Sequence, residues 1–380
     1  MDIRKFHSQA MLLLLLLVSL SSCGVIYFQD DPDESNPQLS EKPFCSTFAQ
    51  LQWGSGEMDL GSPYPYTLVS FSSFRKTIPA VVFDQEGNVY LYDVVNSKVM
   101  VFDERGNFIQ NIPVPEHFAI KAIGLVYFVD GMGLYYGDIA VRNDEIVIRR
   151  VDESKRSQLS FLSFSGNVTH EIPLSTTTVD MLEPVLQTDS CGGIYIRVGN
   201  SFAAMAGSNG LHYISPEFKQ EIDQSFQTPR NFPPAFIVGW DGYLYRITDD
   251  RADFSSFLKN PIIDYERWKI SADVGFFKTK PETGKFLIPE PEPEERFLGK
   301  FLGVDKQGSA YIVKRTGVVM SDKNGVFYFS EFPEDIIISG YSALYYRAIS
   351  LSPSGDIYLL SYDEEDMEVQ PSIKKCRFFE

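Results

Sequence analysis

Few side chains in this chain of 380 residues are spaced as a catalytic or metal site. Its four histidines, His7, His117, His170 and His212, are isolated, with no His-Glu-x-x-His pair. The sequence also lacks a Gly-x-Ser-x-Gly nucleophile motif and a Gly-x-x-x-x-Gly-Lys phosphate loop. We therefore predict no catalytic residue, no metal and no cofactor, and we interpret the histidines after His7 as structural or surface residues.

Acidic residues cluster at 30–34, 290–295 and 363–368. Carboxylates hold Ca²⁺ when their spacing follows a loop with a required Gly turn. None of the three clusters has that spacing, so we interpret them as solvated loops.

A phrase repeated six times organises the rest of the chain. It consists of an apolar run, usually an Asp, two residues, and then Gly-x-apolar-Tyr. The six Gly and Tyr pairs are Gly87 and Tyr90, Gly133 and Tyr136, Gly192 and Tyr195, Gly242 and Tyr245, Gly308 and Tyr311, and Gly355 and Tyr358. Such self-similarity predicts six copies of one structural unit.

The spacing of the phrase selects the architecture. Successive glycines are 46, 59, 50, 66 and 47 residues apart, and a four-stranded propeller blade needs about 40–50. The intervening runs alternate as strands do, and no helical periodicity follows the amino terminus. The sequence predicts an all-β, six-bladed β-propeller of four-stranded blades.

Each phrase describes a hairpin in which Gly takes a positive φ and Tyr packs against the neighbouring blade. We expect the Asp to accept hydrogen bonds from turn amides. Four copies have it: Asp84, Asp130, Asp189 and Asp305. The alternative is a ring of carboxylates around an ion or ligand, which is disfavoured because Gly239 and Ser352 stand there in the other copies.

Residues 79–112 resemble an NHL-type repeat of six-bladed, TolB-like propellers, through Pro-Ala-Val-Val-Phe-Asp-Gln-Glu-Gly-Asn-Val-Tyr-Leu-Tyr-Asp. The other copies match more loosely, and the fourth, Trp240 to Tyr245, departs most. The resemblance covers most of 46–380, our predicted propeller domain. Such propellers include binding scaffolds, hydrolases and lyases, so it implies a fold and no single activity. We expect residues 64–76 to supply the amino-terminal strand that closes the ring.

Residues 1–22 have the pattern of a secretory signal: Arg4 and Lys5 precede an apolar run at 11–20 that is too short to span a bilayer. The following Leu-Ser-Ser-Cys23 resembles a bacterial lipobox. The resemblance implies that Cys23 is the first mature residue and carries diacylglycerol and a further acyl chain such as palmitate. The alternative is an ordinary secreted protein.

Residues 23–45 are acidic and rich in Pro, which predicts a flexible tether. Gly24, rather than Asp, follows Cys23, which favours the outer membrane of the cell envelope and leaves the face open. Ring closure brings Cys45 near Cys376, so these two form the candidate disulfide. Cys191 makes the count odd and leaves other pairings open.

The chain has 51 acidic and 34 basic residues, a net charge of −17, which argues against nucleic acid as a partner. We also expect the folded body, a monomer, not to adhere to an anionic lipid surface. The longest insertion, about 249–298, combines aromatic residues with a Pro-Glu run. Either it supplies the outer strands of blade four and a surface connector, or it binds a partner.

Two functions remain open. The first is a lipid-anchored, non-catalytic scaffold that binds an envelope protein or a small ligand. The second is a propeller hydrolase or lyase acting on a saccharide or lactone at the central mouth.

Overall fold

A computed structural model describes residues 38–39, 44–61, 74–115, 127–129, 132–136, 138–151, 157–173, 186–198, 209–217, 221–226, 236–247, 262–271, 276–287, 300–313, 317–333, 349–361, 368 and 370–379. Residues 1–22, Cys23 and His117 lie outside them. The regular structure described is β-strand, apart from a 3-10 helix at Phe276–Lys278. No helix in the described ranges is long and apolar enough to cross a membrane.

Within the described ranges, five strands precede the first blade. They are β1 Gln38–Leu39, β2 Phe44–Gln50, β3 Gln52–Trp53, β4 Asp59–Leu60 and β5 Phe74–Ile78.

Blades one to three are four-stranded antiparallel sheets, and two short strands lie between the first and the second. Blade one contains β6 Ala80–Phe83, β7 Val89–Asp93, β8 Lys98–Phe102 and β9 Phe108–Pro113. The short strands are β10 Tyr127–Val129 and β11 Met132–Tyr136. Blade two contains β12 Ile139–Arg142, β13 Glu145–Val151, β14 Ser157–Ser163 and β15 Val168–Pro173. Blade three contains β16 Leu186–Thr188, β17 Ile194–Val198, β18 Asn209–Ile214 and β19 Glu221–Phe226.

Blades four to six repeat the same order of strands, and β1 adds a fifth strand to blade five by pairing with its outermost strand. Blade four contains β20 Phe236–Val238, β21 Tyr243–Ile247, β22 Ile262–Lys269 and β23 Glu282–Leu287. Blade five contains β24 Lys300–Val304, β25 Ala310–Val313, β26 Gly317–Ser321 and β27 Phe327–Glu331. Blade six contains β28 Ile349–Leu351, β29 Ile357–Ser361 and β30 Ser372–Arg377, and its fourth strand is β2.

The innermost strands form a closed ring. Each contacts the innermost strand of the next blade, in the order β6, β12, β16, β20, β24 and β28, and β28 contacts β6 again. This confirms the predicted all-β, six-bladed propeller. Apolar side chains on both faces of each blade pack between neighbouring sheets; Ala80 and Tyr90 of blade one, for instance, share a buried cluster with Ile139 and Ile146 of blade two.

An amino-terminal strand closes the ring, as predicted, but this strand is β2 and does not come from the predicted segment at 64–76. Strand β2 pairs antiparallel with β30, and Cys45 lies directly opposite Cys376. The described end of 64–76, β5, pairs in parallel with β11. The prediction erred because the run at 66–74 is more apolar than β2, and apolarity does not reveal which distant strand is the partner.

The second copy of the phrase does not form a blade hairpin. Gly133 and Tyr136 lie in β11, which belongs to a three-stranded sheet with β10 and β5. The first hairpin of blade two is instead the two-residue turn between β12 and β13, where Asn143 has a φ of 47°. Asn tolerates this left-handed conformation, so the turn needs no Gly and leaves no Gly phrase in the sequence.

Candidate functional site: the innermost strands and their hairpins

The Asp of the phrase stabilises the hairpin in which it lies by accepting hydrogen bonds. In blade one, Asp84 Oδ1 accepts hydrogen bonds from the amides of Glu86 and Asn88, both at 2.9 Å. Its Oδ2 accepts from the Tyr90 hydroxyl at 3.1 Å. Asp189 and Asp305 do the same in blades three and five. The expected turn role is confirmed for these three, whereas Asp130 lies outside the described residues.

The Tyr of the phrase was expected to pack between blades, and it also binds this Asp. The Tyr195 hydroxyl lies 2.7 Å from Asp189 Oδ2 and the side chain is buried. Burial raises the pKa of Tyr195 far above its ordinary value, and the charge of Asp189 adds to the shift. Tyr195 therefore stays protonated and acts as a donor.

The two copies without the usual Asp are built differently from each other. In blade four the Tyr245 hydroxyl donates to Asp241 Oδ2 at 2.6 Å, so an Asp two residues after Gly239 replaces the missing one. In blade six Asp356 is buried and pairs with Arg377 at 2.8 Å and with Lys375 at 3.2 Å.

The same turn also joins the third and fourth strands of some blades. Asp103 accepts from the amides of Arg105 and Asn107 at 2.9 and 2.8 Å, on the exposed edge of blade one. Asp322 of blade five repeats this geometry. The hairpin is therefore a local unit that the sequence uses at two places in a blade.

Polar contacts from other blades reach the backbone of every innermost strand. The Gln187 side chain of blade three donates to the carbonyl of Phe236 at 3.0 Å and accepts from the amide of Val238 at 2.7 Å, both in blade four. Thr188 Oγ1 donates to the carbonyl of Val141 in blade two at 2.7 Å, and Ser350 Oγ of blade six donates to that of Val81 in blade one. An innermost strand has only one partner strand, so these bonds satisfy backbone groups that would otherwise face the channel.

Trp240 reaches from the hairpin of blade four to two other blades of the ring. Its amide donates to the carbonyl of Val304 in blade five at 2.9 Å. The indole Nε1 donates to the carbonyl of Leu351 in blade six at 3.1 Å. The ring also packs against the apolar cluster formed mainly by blades six and one. Trp240 therefore spans the hairpin end of the channel.

At the other end of the innermost strands, an ion pair within blade two also bonds to blade three. Asp138 Oδ2 lies 3.2 Å from Arg149 Nη1, and both side chains are largely buried. Asp138 Oδ1 accepts from the amide of Leu186, the first residue of β16, at 3.2 Å. This pair orients the start of one blade against the next.

The innermost strands contain little that could do chemistry. Within their described residues the ionisable side chains are Arg142 and Lys300, and no Asp, Glu, His or Cys occurs. Arg142 is buried between blades, donates to the carbonyl of Pro216 and lies over the ring of Phe161. Burial lowers its pKa. Among the residues described, no group of three or more His, Cys, Asp or Glu is placed to hold a metal ion.

The other predicted residues are dispersed. Cys45 and Cys376 form a disulfide, and Cys191 is free and exposed. His212 is buried in β18, and His170 is exposed beside Phe161. The described parts of 249–298 supply β22 and β23, as expected for the outer strands of blade four.

Sequence reasoning missed the side chains that link the innermost strands, Gln187, Thr188, Ser350 and Trp240. The sequence feature that could have indicated them is a polar residue inside a short apolar run before a hairpin, as with Ser350 between Ile349 and Leu351. That signal does not reveal which blade receives the hydrogen bond.

These features define a six-bladed β-propeller protein whose innermost strands, in their described residues, contain no carboxylate, His or Cys. Neither a protein-family model nor a curated protein matches the sequence. Among solved structures, a streptogramin B lyase is similar with a TM-score of 0.44 and 11% identity over 89% of this chain and 100% of its own.

A gluconolactonase of Xanthomonas campestris also has a TM-score of 0.44 and 11% identity, over 90% of this chain and 95% of its own. The calcium-binding protein regucalcin of Agrobacterium tumefaciens has 0.40 and 10%, over 81% and 97%. Similarities this weak carry no information about the activity of this chain.

Proposed function

We propose that this chain is a lipid-anchored protein of the bacterial cell envelope whose propeller is a non-catalytic recognition scaffold. The observation that carries the proposal is the set of hydrogen bonds that join the innermost strands of different blades. The ring is held together by hydrogen bonds to the backbone of other blades from the side chains of Gln187, Thr188 and Ser350. A rigid ring that presents loops suits binding.

The anchor is the thioether of Cys23, with acyl chains on its sulfur and its amino nitrogen. Two or more chains give a stable membrane attachment, since each buried methylene contributes about 0.8 kcal/mol. The proposed tether is the part of residues 23–45 that precedes β1, and the outer membrane is the proposed location. The partner is an envelope protein or a small ligand that the loops recognise.

The first test is labelling with radioactive palmitate in a bacterial host, on the native chain, on Cys23→Ala and on Cys191→Ala. The native chain and Cys191→Ala should be labelled and need detergent for extraction, whereas Cys23→Ala should lose both properties. Cys191→Ala is the matched control because Cys191 is a free, exposed thiol. Label retained by Cys23→Ala would overturn the anchor.

The second test is crosslinking in intact cells, followed by affinity capture and mass spectrometry. One envelope protein recovered reproducibly with the native chain supports the scaffold. The alternative is a propeller hydrolase or lyase, whose site would lie on loops from several blades. Turnover of a lactone or saccharide by the pure protein, with no protein captured, would replace the scaffold by that alternative.

A further inference from the structure

We propose that the outer edge of β2, in blade six, binds the same edge of a second copy of this chain. Two propellers would then be joined by one antiparallel pair of strands. The proposal goes beyond the proposed function and replaces the monomer expected from the sequence. Three observations carry it: the composition of β2, the direction of its backbone groups, and the aromatic residues that the pairing brings together.

Strand β2 lacks the features that usually protect an edge strand, which are charged side chains and Pro. Within the described residues it is the last strand of its sheet, and its seven residues, Phe-Cys-Ser-Thr-Phe-Ala-Gln, include neither. The outermost strand of blade one, β9, has no charge but ends in Pro113. Those of blades two to five contain Glu171, Glu221 and Asp223, Glu282, and Glu331.

The hydrogen-bonding groups of Cys45 and Thr47 point to the outer edge. The Cα atoms of Cys45 and Cys376 are 4.1 Å apart. In an antiparallel pair, so short a distance marks opposite residues that do not exchange backbone hydrogen bonds. The amide and carbonyl of Cys45 therefore point away from β30, and those of Thr47 do the same because the pattern alternates along the strand.

The part of this edge that a second copy can reach is residues 44–47. Pro43 has no amide, and the carbonyl of Phe48 abuts Gly106 of blade one. When Cys45 of one copy lies opposite Thr47 of the other, the two-fold axis passes at Ser46 and each strand gives and receives the same bonds. Such self-complementary pairing favours a second copy over another partner.

The same pairing covers the most exposed of the large apolar side chains described, Phe44, which is 74% exposed. Phe44 lies opposite Arg377, on the face of the blade where Lys375 lies over the ring of Tyr358. In the paired strands it would lie opposite Phe48 of the second copy, whose ring contacts Tyr358 edge-on at 4.9 Å. Each copy would therefore extend an aromatic cluster of the other.

The net charge favours contact at an edge without carboxylates. Two copies that each have a net charge of −17 repel each other, and like charges placed opposite each other in paired strands are destabilising. The acidic residues at 363–368 precede Ser372, which lies opposite Gln50, at the other end of β2 from Phe44. We expect the dimer to become stronger as salt screens the net charge.

The first test is oxidative crosslinking of the full chain in mild detergent, with Cys23→Ala and Cys191→Ala in the parent so that the thiols outside the disulfide are removed. Ser46→Cys places a thiol at the two-fold axis. Opposite Cα atoms there are about 4.5 Å apart, which allows a disulfide. A non-reducing gel should show a dimer for Ser46→Cys, and peptide mapping should find the bond between the two introduced thiols.

Ile109→Cys is the matched control, because Ile109 is 51% exposed in β9, another outermost strand without charge. It should remain monomeric under the same oxidation. An equal crosslinked fraction in Ile109→Cys, or no dimer of Ser46→Cys, would overturn the proposal. Because the parent has no lipid on residue 23, neither result depends on the proposed anchor.

Sedimentation equilibrium measures the association of the parent without a crosslink. Thr47→Pro removes an amide that points outward and leaves the bonds to β30 in place, so it should abolish the dimer. Phe44→Ser, at an exposed position, should weaken association about a hundredfold, since each dimer loses two aromatic contacts of about tenfold each. Both variants should keep the Tm of the parent. A parent that sediments as a monomer, or a Phe44→Ser variant that associates as the parent does, would contradict the pairing.

Discussion

The Tyr195 hydroxyl donates a hydrogen bond to Asp189 Oδ2 across 2.7 Å, while Asp189 Oδ1 accepts from the amides of Cys191 and Gly193. One buried carboxylate thus joins the turn to the strand that follows it. The same arrangement at Asp84 and Asp305 makes the hairpin the recurring element of the ring.

Removing the buried carboxylate should destabilise the propeller more than removing an exposed one of the same geometry. Asp189→Ala leaves two amides and one hydroxyl without an acceptor, which costs about 1–3 kcal/mol or more in the free energy of unfolding. Asp103→Ala is the comparison, because water can replace that exposed carboxylate. Denaturant unfolding measures both, and equal losses would show that burial does not decide the effect.

Two glycines with positive φ should respond differently to Ala. Gly87 has a φ of 93°, and a Cβ added there would meet no other atom within 4 Å, so Gly87→Ala should cost about 1–2 kcal/mol from backbone strain alone. At Gly355, with a φ of 87°, the added Cβ would lie 2.5 Å from the Tyr311 hydroxyl and 3.1 Å from Asp305 Oδ2. Gly355→Ala should therefore lower the Tm further than Gly87→Ala; the reverse order would contradict the packing between blades five and six.

Loss of the disulfide should weaken ring closure. Cys45 and Cys376 are 331 residues apart, so their bond constrains nearly the whole unfolded chain. Cys376→Ser should cost about 2–5 kcal/mol, measured by calorimetry under non-reducing conditions. Cys191→Ser should leave the Tm unchanged, and peptide mapping that finds Cys191 bonded to either partner would contradict the assignment.

Stability in acid should depend on Asp356. Burial alone would raise its pKa, but hydrogen bonds and charges from Arg377 and Lys375 bring the pKa below its ordinary 3.8. A depressed folded-state pKa contributes stability above 3.8, and that contribution is lost as the pH falls through the folded value. In Tm measurements between neutral pH and pH 2, Asp356→Asn should lower the Tm at neutral pH and approach the native curve in acid. Parallel curves would contradict the linkage.

The indole of Trp240 should stabilise the ring through its bond to Leu351. Trp240→Phe keeps an aromatic ring but leaves that carbonyl without its donor, so we expect a loss of about 1–2 kcal/mol. Trp240→Leu is the comparison, because it removes both the indole donor and the aromatic packing against the apolar cluster of blades six and one. Urea unfolding followed by circular dichroism compares the two; an unchanged midpoint for Trp240→Phe would exclude a contribution from this bond.

The sequence by itself determined the number of blades, the strand class and the chemistry of the hairpins. These depend on residues close in the chain: Asp84, Gly87 and Tyr90 meet within one turn, whatever the rest of the ring does. The first hairpin of blade two was assigned to the wrong residues. Asn143 makes an equivalent turn without the Gly phrase, whereas Gly133 belongs to a copy of the phrase that lies outside a blade.

Only the tertiary structure decided which distant segments meet. That β2 closes the ring, that Gln187 and Ser350 bond to other blades, and that Trp240 crosses to Leu351 all depend on the curvature of the assembled ring. Partners more than a hundred residues apart, such as Trp240 and Leu351, have no local pattern, since many backbone carbonyls could accept the same donor. Ring geometry selects one of them by distance and direction.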